Sequence, residues 1–250
     1  MNKETLLLYF TFTLLFIILY HLIYIFLYKC LKYFFPERIE GFTNQIVAQQ
    51  QAKQSQQQPQ TIVLLGDSSL NNNSYVKKDE AIQQLLLKKI ASNKQSNIPI
   101  YYMPKDEATI ADIYDQFANI PADIDNANTS FFISVGGNDI LTMEKSGKNI
   151  TQLFAAYEKL IKAIQTRYPN SKYFLLNIYF PLSISPAQKT AITQWNSLLY
   201  NFATDQNNNN NTKLLEMNYK LTQAEDFVNE IEPSFQGGEK IVALIAQNVA

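Results

Sequence analysis

Histidine and cysteine are almost missing from this 250-residue chain, which has one of each, His21 and Cys30. A single cysteine cannot close an intrachain disulfide, and no zinc site can rest on thiolates. The lone histidine lies inside LLFIILYHLIYIFLY, where it reads as a polar passenger or a helix contact. The rest of the chain therefore lacks imidazole, the commonest general base. An excess of one charge is missing too: 21 Lys and Arg oppose 22 Asp and Glu, a net charge of −1. No basic cluster with interleaved aromatics occurs, so nucleic acid is not an expected partner. Glycine is scarce at seven residues, and neither G-x-G-x-x-G nor G-x-x-x-x-G-K-[ST] is present. That removes the dinucleotide and phosphate loops, and nothing else in the sequence calls for a cofactor or a metal.

What is present begins with a long apolar run. Leu6 to Tyr28 contains no charged residue and is built mainly of Leu, Ile, Phe and Tyr. A helix over residues 6–28 is long enough to cross a hydrocarbon core of about 30 Å, with Tyr9, Tyr28 and Tyr33 near its ends. The run is too long for a signal peptide and no A-x-A-like site follows. Residues 1–40 are therefore expected to be a single-pass membrane anchor. Lys29, Lys32 and Arg38 follow the span and point to a cytoplasmic C-terminal part. Asn72, Asn128, Asn149 and Asn210 each open an N-x-S/T triplet, which would suit the opposite side. Residues 41–60, GFTNQIVAQQQAKQSQQQPQ, are polar and Gln-rich and read as a linker.

Residues 61–250 alternate short apolar runs with helical patterns. TIVLL (61–65), IPIYYM (98–103), SFFISV (130–135), YFLLNIYF (173–180) and KLLEM (213–217) read as five strands. Between and after them, Ile82, Leu86 and Ile90 recur at helical spacing. So do Leu153, Tyr157, Leu160 and Ile164, then Ile192, Trp195, Leu199 and Phe202, and finally Ile241, Leu244 and Ile245. Strand–helix alternation implies an α/β fold with a mostly parallel sheet covered on both faces. In such a sheet ligands bind beyond the carboxyl ends of the strands.

Five of the seven glycines fall where that rule directs attention. Gly66 follows the first strand, Gly136 and Gly137 follow the third, and Gly237 and Gly238 precede the last helix. The loops are LLGDSSLNN, SVGGNDI and IEPSFQGG. Turn chemistry explains each loop singly, but not a Ser and an Asn beside an Asp in two of them.

"TIVLLGDSSL" followed by "SVGGNDI" resembles the first and third sequence blocks of the SGNH/GDSL hydrolases, and "EPSFQGGEKIV" stands at the place of the last block. The resemblance covers Thr61 to Ala250. It implies a three-layer α/β/α, flavodoxin-like SGNH hydrolase fold with a parallel five-stranded sheet, preceded here by the N-terminal transmembrane helix. It further implies Ser68, beside Asp67, as the nucleophile. The Ser68 N–H and the Asn138 side chain, beside Gly137, would be oxyanion donors. At the second block the family's glycine is replaced by Glu107, whose N–H remains available in principle. The final Asp-x-x-His is replaced by Asn229 and Glu232. A Ser-His-Asp system within residues 61–250 is impossible, and Glu232 stands where the base belongs. Two expectations stay open. One is a membrane-anchored serine hydrolase acting on a small-molecule, lipid or carbohydrate ester. The other is a catalytically inactive SGNH-fold binding or scaffold module.

Overall fold

The computed structural model describes residues 3–34, 45, 60–92, 98–205 and 211–249. The chain divides into two compact units, residues 1–57 and 58–250. In the first, Lys3–Phe34 form one helix, α1, whose side chains are described only at residues 12–17, 19–26, 29 and 33, all exposed. His21 Nδ1 lies 2.9 Å from the Ile17 carbonyl, one turn back on the same helix. The transmembrane helix expected over residues 6–28 is not established here: among the described residues no helix is long and apolar enough to cross a membrane. Residue 45 apart, the expected linker lies outside the described residues until Gln60.

The second unit holds five strands: β1 (Thr61–Gly66), β2 (Ile100–Tyr102), β3 (Thr129–Ser134), β4 (Lys172–Leu176) and β5 (Thr212–Leu215). They form one sheet in the order β2-β1-β3-β4-β5, and every pairing is parallel. The helices around them are α2 (Ile82–Ser92), α3 (Ile113–Ala118), α4 (Gly137–Leu141), α5 (Met143–Ser146), α6 (Ile150–Arg167), α7 (Pro186–Thr204) and α8 (Phe235–Ala246).

Successive residues of a strand face opposite sides, so the continuous apolar strands feed two cores at once. Val63, Leu65, Phe131, Ile133, Tyr173 and Leu175 pack with α3, α6 and α7. Ile62, Leu64, Phe132, Phe174 and Leu176 pack with α2 and α8 on the other face. The result is three layers. The long helices start where the sequence provides caps: Asn149 with Gln152 for α6, and Ser185 with Gln188 and Pro186 for α7.

The fourth apolar run is shorter as a strand than its sequence suggests. YFLLNIYF predicts pairing to residue 180, yet β4 ends at Leu176. The Asn196 side chain takes over, accepting from the Ile178 N–H at 3.0 Å and donating to the Ile178 carbonyl at 2.7 Å. A carboxamide on α7 thus satisfies backbone that a further strand would have satisfied, and the chain is free to turn toward the sheet's carboxyl edge.

Candidate active site

Gly66 ends β1 against the neighbouring strand. A Cβ there would stand 2.4 Å from the Ser134 carbonyl oxygen, so only glycine fits this close approach. The buried Gln116 of α3 grips the same glycine, accepting from its N–H at 2.8 Å and donating to its carbonyl at 2.7 Å. The chain then turns sharply. Asp67 Oδ1 accepts from Ser69 N–H at 3.0 Å and Ser69 Oγ at 2.6 Å, while Leu70 and Asn71 N–H groups return to the Asp67 carbonyl. Ser68 sits on this turn, 7% exposed. Its own N–H has no hydrogen-bond partner among the described residues.

The loop after β3 approaches from the adjacent strand. Gly136 has φ +113°, and a Cβ on it would meet the Trp195 ring at 2.5 Å. That conformation and that space both require glycine. It launches α4, which carries Asn138. The Asn138 Nδ2 donates to the Ala108 carbonyl at 3.1 Å, leaving a second amide hydrogen for a ligand. Gly137 leaves the Asp67 Oδ2 as the nearest atom to its absent Cβ, at 3.8 Å.

Glu107 lies next to Ala108, whose carbonyl accepts from Asn138. It is the one non-glycine residue with positive φ, +58°, among those described, and its side chain is exposed. Its N–H donates to Asp106 Oδ1 at 3.0 Å, so that hydrogen is occupied. The exposed carboxylate is turned to solvent.

Glu232 is buried, 9% exposed, at the end of a tight loop. Its backbone is fixed on every side. Its N–H donates to Asn229 Oδ1 at 2.8 Å and its carbonyl accepts from Val228 N–H at 2.9 Å. The preceding carbonyl, of Ile231, accepts from Tyr179 Oη at 3.0 Å, and the following one, of Pro233, accepts from Asn72 Nδ2 at 3.0 Å. Asn229 therefore shapes the loop through its carbonyl, accepting also from Ile231 N–H at 2.8 Å, and does not donate to the Glu232 carboxylate. Helix capping belongs to another residue: Ser234 accepts from Gly237 N–H at the start of α8. Gly237 is needed because a Cβ would lie 2.2 Å from the Asp226 carbonyl oxygen.

The electrostatics follow from this burial. Glu232 Oε2 is buried without a hydrogen-bond partner. Burial pushes the Glu232 carboxyl up to about 7; the adjoining Ser68 hydroxyl opposes the rise, and the charges of Asp106 and Asp67 add to it. Although Ser68 is close enough to act on the carboxyl's proton affinity, no well-formed hydrogen bond closes between the two side chains. Burial likewise pushes Asp67 up to about 6 against its bonds to Ser69, with Asp139 adding to the rise. Tyr179 is raised well above the ordinary phenol by burial and then by Asp67 and Glu232, so it stays a neutral donor.

Beside Ser68 and Asn138 lies a small pocket of about 50 Å³, walled by apolar groups that include Ile140, Ile178, Pro181, Ile192, Met217 and Ile231. The fold thus brings Ser68, Asp67, Gly137 and Asn138 around one pocket, sets Glu232 next to Ser68, and leaves Asn229 and Glu107 exposed. Asn72, Gln116 and Tyr179 carry no mark in the sequence of a place in the site: Asn72 shows only as the start of an N-x-S triplet, and the other two belong to helical or strand-like apolar stretches. Among the described residues no group of three or more His, Cys, Asp or Glu is arranged to hold a metal ion.

No family model matches the chain, and no curated protein matches it in sequence. Solved structures do match in fold. A member of the lipolytic G-D-S-L family from Veillonella parvula aligns with TM-score 0.59 and 17% identity, over 75% of this chain and 97% of its own. A lipase from a goat rumen metagenome aligns with TM-score 0.59 and 17% identity, over 75% and 96%. An acetyl xylan esterase aligns with TM-score 0.56 and 14% identity, over 76% and 100%. With its parallel five-stranded sheet and its Ser and Asn loops at one sheet edge, this chain has the fold of the SGNH/GDSL lipases and esterases.

Proposed function

We propose that this protein is an SGNH-type serine hydrolase in which a glutamate replaces the usual histidine. The observation that carries the reading is the Glu232 carboxyl, held next to Ser68 with its Oε2 buried and unpartnered. An ordinary glutamate, near 4.5, has too little proton affinity to draw the serine proton well; at about 7 it is matched to neutral pH. In the proposed reaction Ser68 Oγ attacks the ester carbonyl carbon as Glu232 takes its proton. The oxyanion that forms is met by the Ser68 N–H and the free Asn138 amide hydrogen. Collapse breaks the bond to the leaving alkoxide, which takes the proton from Glu232 and departs as an alcohol. Water then attacks the acyl-enzyme with Glu232 again as base, releasing the acid and restoring Ser68.

The pocket at Ser68 suits a short acyl group. Two of the fold neighbours are named a lipase and an acetyl xylan esterase, so lipid and carbohydrate esters are the classes to assay, short acyl chains first. The charge-free run at residues 6–28 supports a single-pass anchor, and the basic residues that follow it support a cytoplasmic catalytic part. Resistance to alkaline carbonate extraction, and no mobility shift with glycosidase, are the expected results.

One observation favours a second reading, an inactive binding module. The Glu107 N–H, at the place of the third oxyanion donor, is bound to Asp106. Two donors then remain. Fluorophosphonate labelling and short-chain aryl ester turnover of the full chain separate the readings. The hydrolase reading expects both activities in the wild type and their loss in Ser68→Ala. Absence of labelling between pH 6 and 9 leaves the binding module.

A further inference from the structure

The reaction proposed above needs the Glu232 loop held in register with the Ser68 turn, and a residue outside both motifs ties the two together. Asn72 lies four positions after Ser68 and is 0% exposed. Both ends of its carboxamide are used. Oδ1 accepts from the N–H of Ile82, the first residue of α2, at 2.9 Å, and Nδ2 donates to the carbonyl of Pro233 at 3.0 Å. The segment between Ser68 and Asn72 is stiff. Asn71 N–H donates to the Asp67 and Ser68 carbonyls at 3.1 Å each, and Asn71 Nδ2 donates to the Pro104 carbonyl at 2.9 Å. Gly238 of α8 packs beside it, the position of its absent Cβ lying 3.6 Å from Asn72 Nδ2. A displacement of Pro233 therefore passes directly to Glu232, and among the described residues the side chain that hydrogen-bonds the Pro233 carbonyl to the nucleophile's own turn is that of Asn72.

We propose that Asn72 is a positioning residue for the Ser68–Glu232 pair, its bond to the Pro233 carbonyl setting where the Glu232 carboxylate meets the Ser68 hydroxyl. This role rests on the hydrolase reading for its catalytic meaning but not for its test. The bond to Ile82 is a helix-capping contact; the bond to Pro233 is the one that acts on the site. Besides Ser68, the titratable groups facing Glu232 are Asp67, Asp106, Tyr75 and Tyr179, and all are kept in the variants below.

Two full-length variants decide the matter, each checked for native circular dichroism. Asn72→Asp keeps an acceptor for Ile82 and loses the donor to Pro233; Asn72→Ala loses both. Fluorophosphonate labelling of Ser68 at pH 9, where Glu232 is ionised, should slow at least tenfold in both variants. The ¹³C titration midpoint of the Glu232 carboxyl, assigned with Glu232→Gln, should fall by at least one pH unit in Asn72→Ala as the loop opens to water. Asn72→Asp is isosteric, and if Asn72→Ala does not fold, its labelling rate alone decides. Wild-type labelling in Asn72→Asp, or an unmoved Glu232 midpoint in folded Asn72→Ala, overturns the role. A wild type that never labels, with a Glu232 midpoint that still falls in Asn72→Ala, upholds the positioning and removes the hydrolase reading instead.

Discussion

A carboxyl group can stand in for an imidazole only when its proton affinity is lifted into the working range, and burial does the lifting here at a cost in stability. Glu232 binds its proton near 7 in the fold against 4.5 in an unfolded chain. A raised acid favours the native state while protonated, so this contribution is full below about pH 4.5 and is lost as pH rises through about 7. Glu232→Gln keeps the shape and removes the charge. It should raise thermal stability at pH 8.5 by about 1–3 kcal/mol, a few degrees, and change little at pH 5. The same variant should lose about 10²–10⁴-fold in kcat/KM for an aryl ester. Asn138→Ala should lose about 10²–10³-fold in kcat, read in the same assay, with little change in fold. Ser68, Asn138 and Glu232 were legible in the sequence because each stands in a motif. Asn72 and Tyr179 were not, because what they do depends on carbonyls at positions 233 and 231 that only the fold brings near.

Among elements, the final loop and α8 enclose a buried charge. Asp226 is fully buried and paired with Lys240, whose Nζ lies 2.6 Å from Oδ1. Burial opposes the charge on Asp226, but the Lys240 ammonium and the N–H groups of Gln223 and Thr222 prevail and hold it below the ordinary carboxylate range. Lys240→Met leaves that charge unpaired. Lys240 is 39% exposed, so the loss should be about 2–3 kcal/mol, under the 3–5 of fully buried pairs, in thermal melts at pH 7. Gly237→Ala should lower the melt by about 1–3 kcal/mol and slow Ser68 labelling as well, because its Cβ must push the Asp226 backbone, and with it the Glu232 loop. The strand–helix alternation was legible at this scale, since both faces of each strand are apolar. The true end of β4 was not: the Asn196 side chain that replaces its pairing comes from 18 positions away and leaves no local mark.

At the scale of the whole molecule, the α/β unit accounts for residues 58–250, and its likeness to lipases and esterases is one of fold, at 14–17% identity in the three compared. Two short motifs sufficed to point to that fold because its glycines are demanded by geometry: Gly66 by the Ser134 carbonyl and Gly136 by the Trp195 ring. The membrane side was less legible, because charge bias and N-x-S/T triplets disagree. The fold removes one triplet from the argument. Asn72 is buried with both ends of its amide bonded, so it cannot carry a glycan in the folded protein. The central step is proton transfer from Ser68 to Glu232, and the pH dependence of fluorophosphonate labelling measures it most directly. Between pH 5 and 9 the wild-type rate should rise with a single midpoint near 7, with no such rise in Glu232→Gln and no labelling in Ser68→Ala. A wild-type rate that is flat across this range, or a rise that persists in Glu232→Gln, would contradict it.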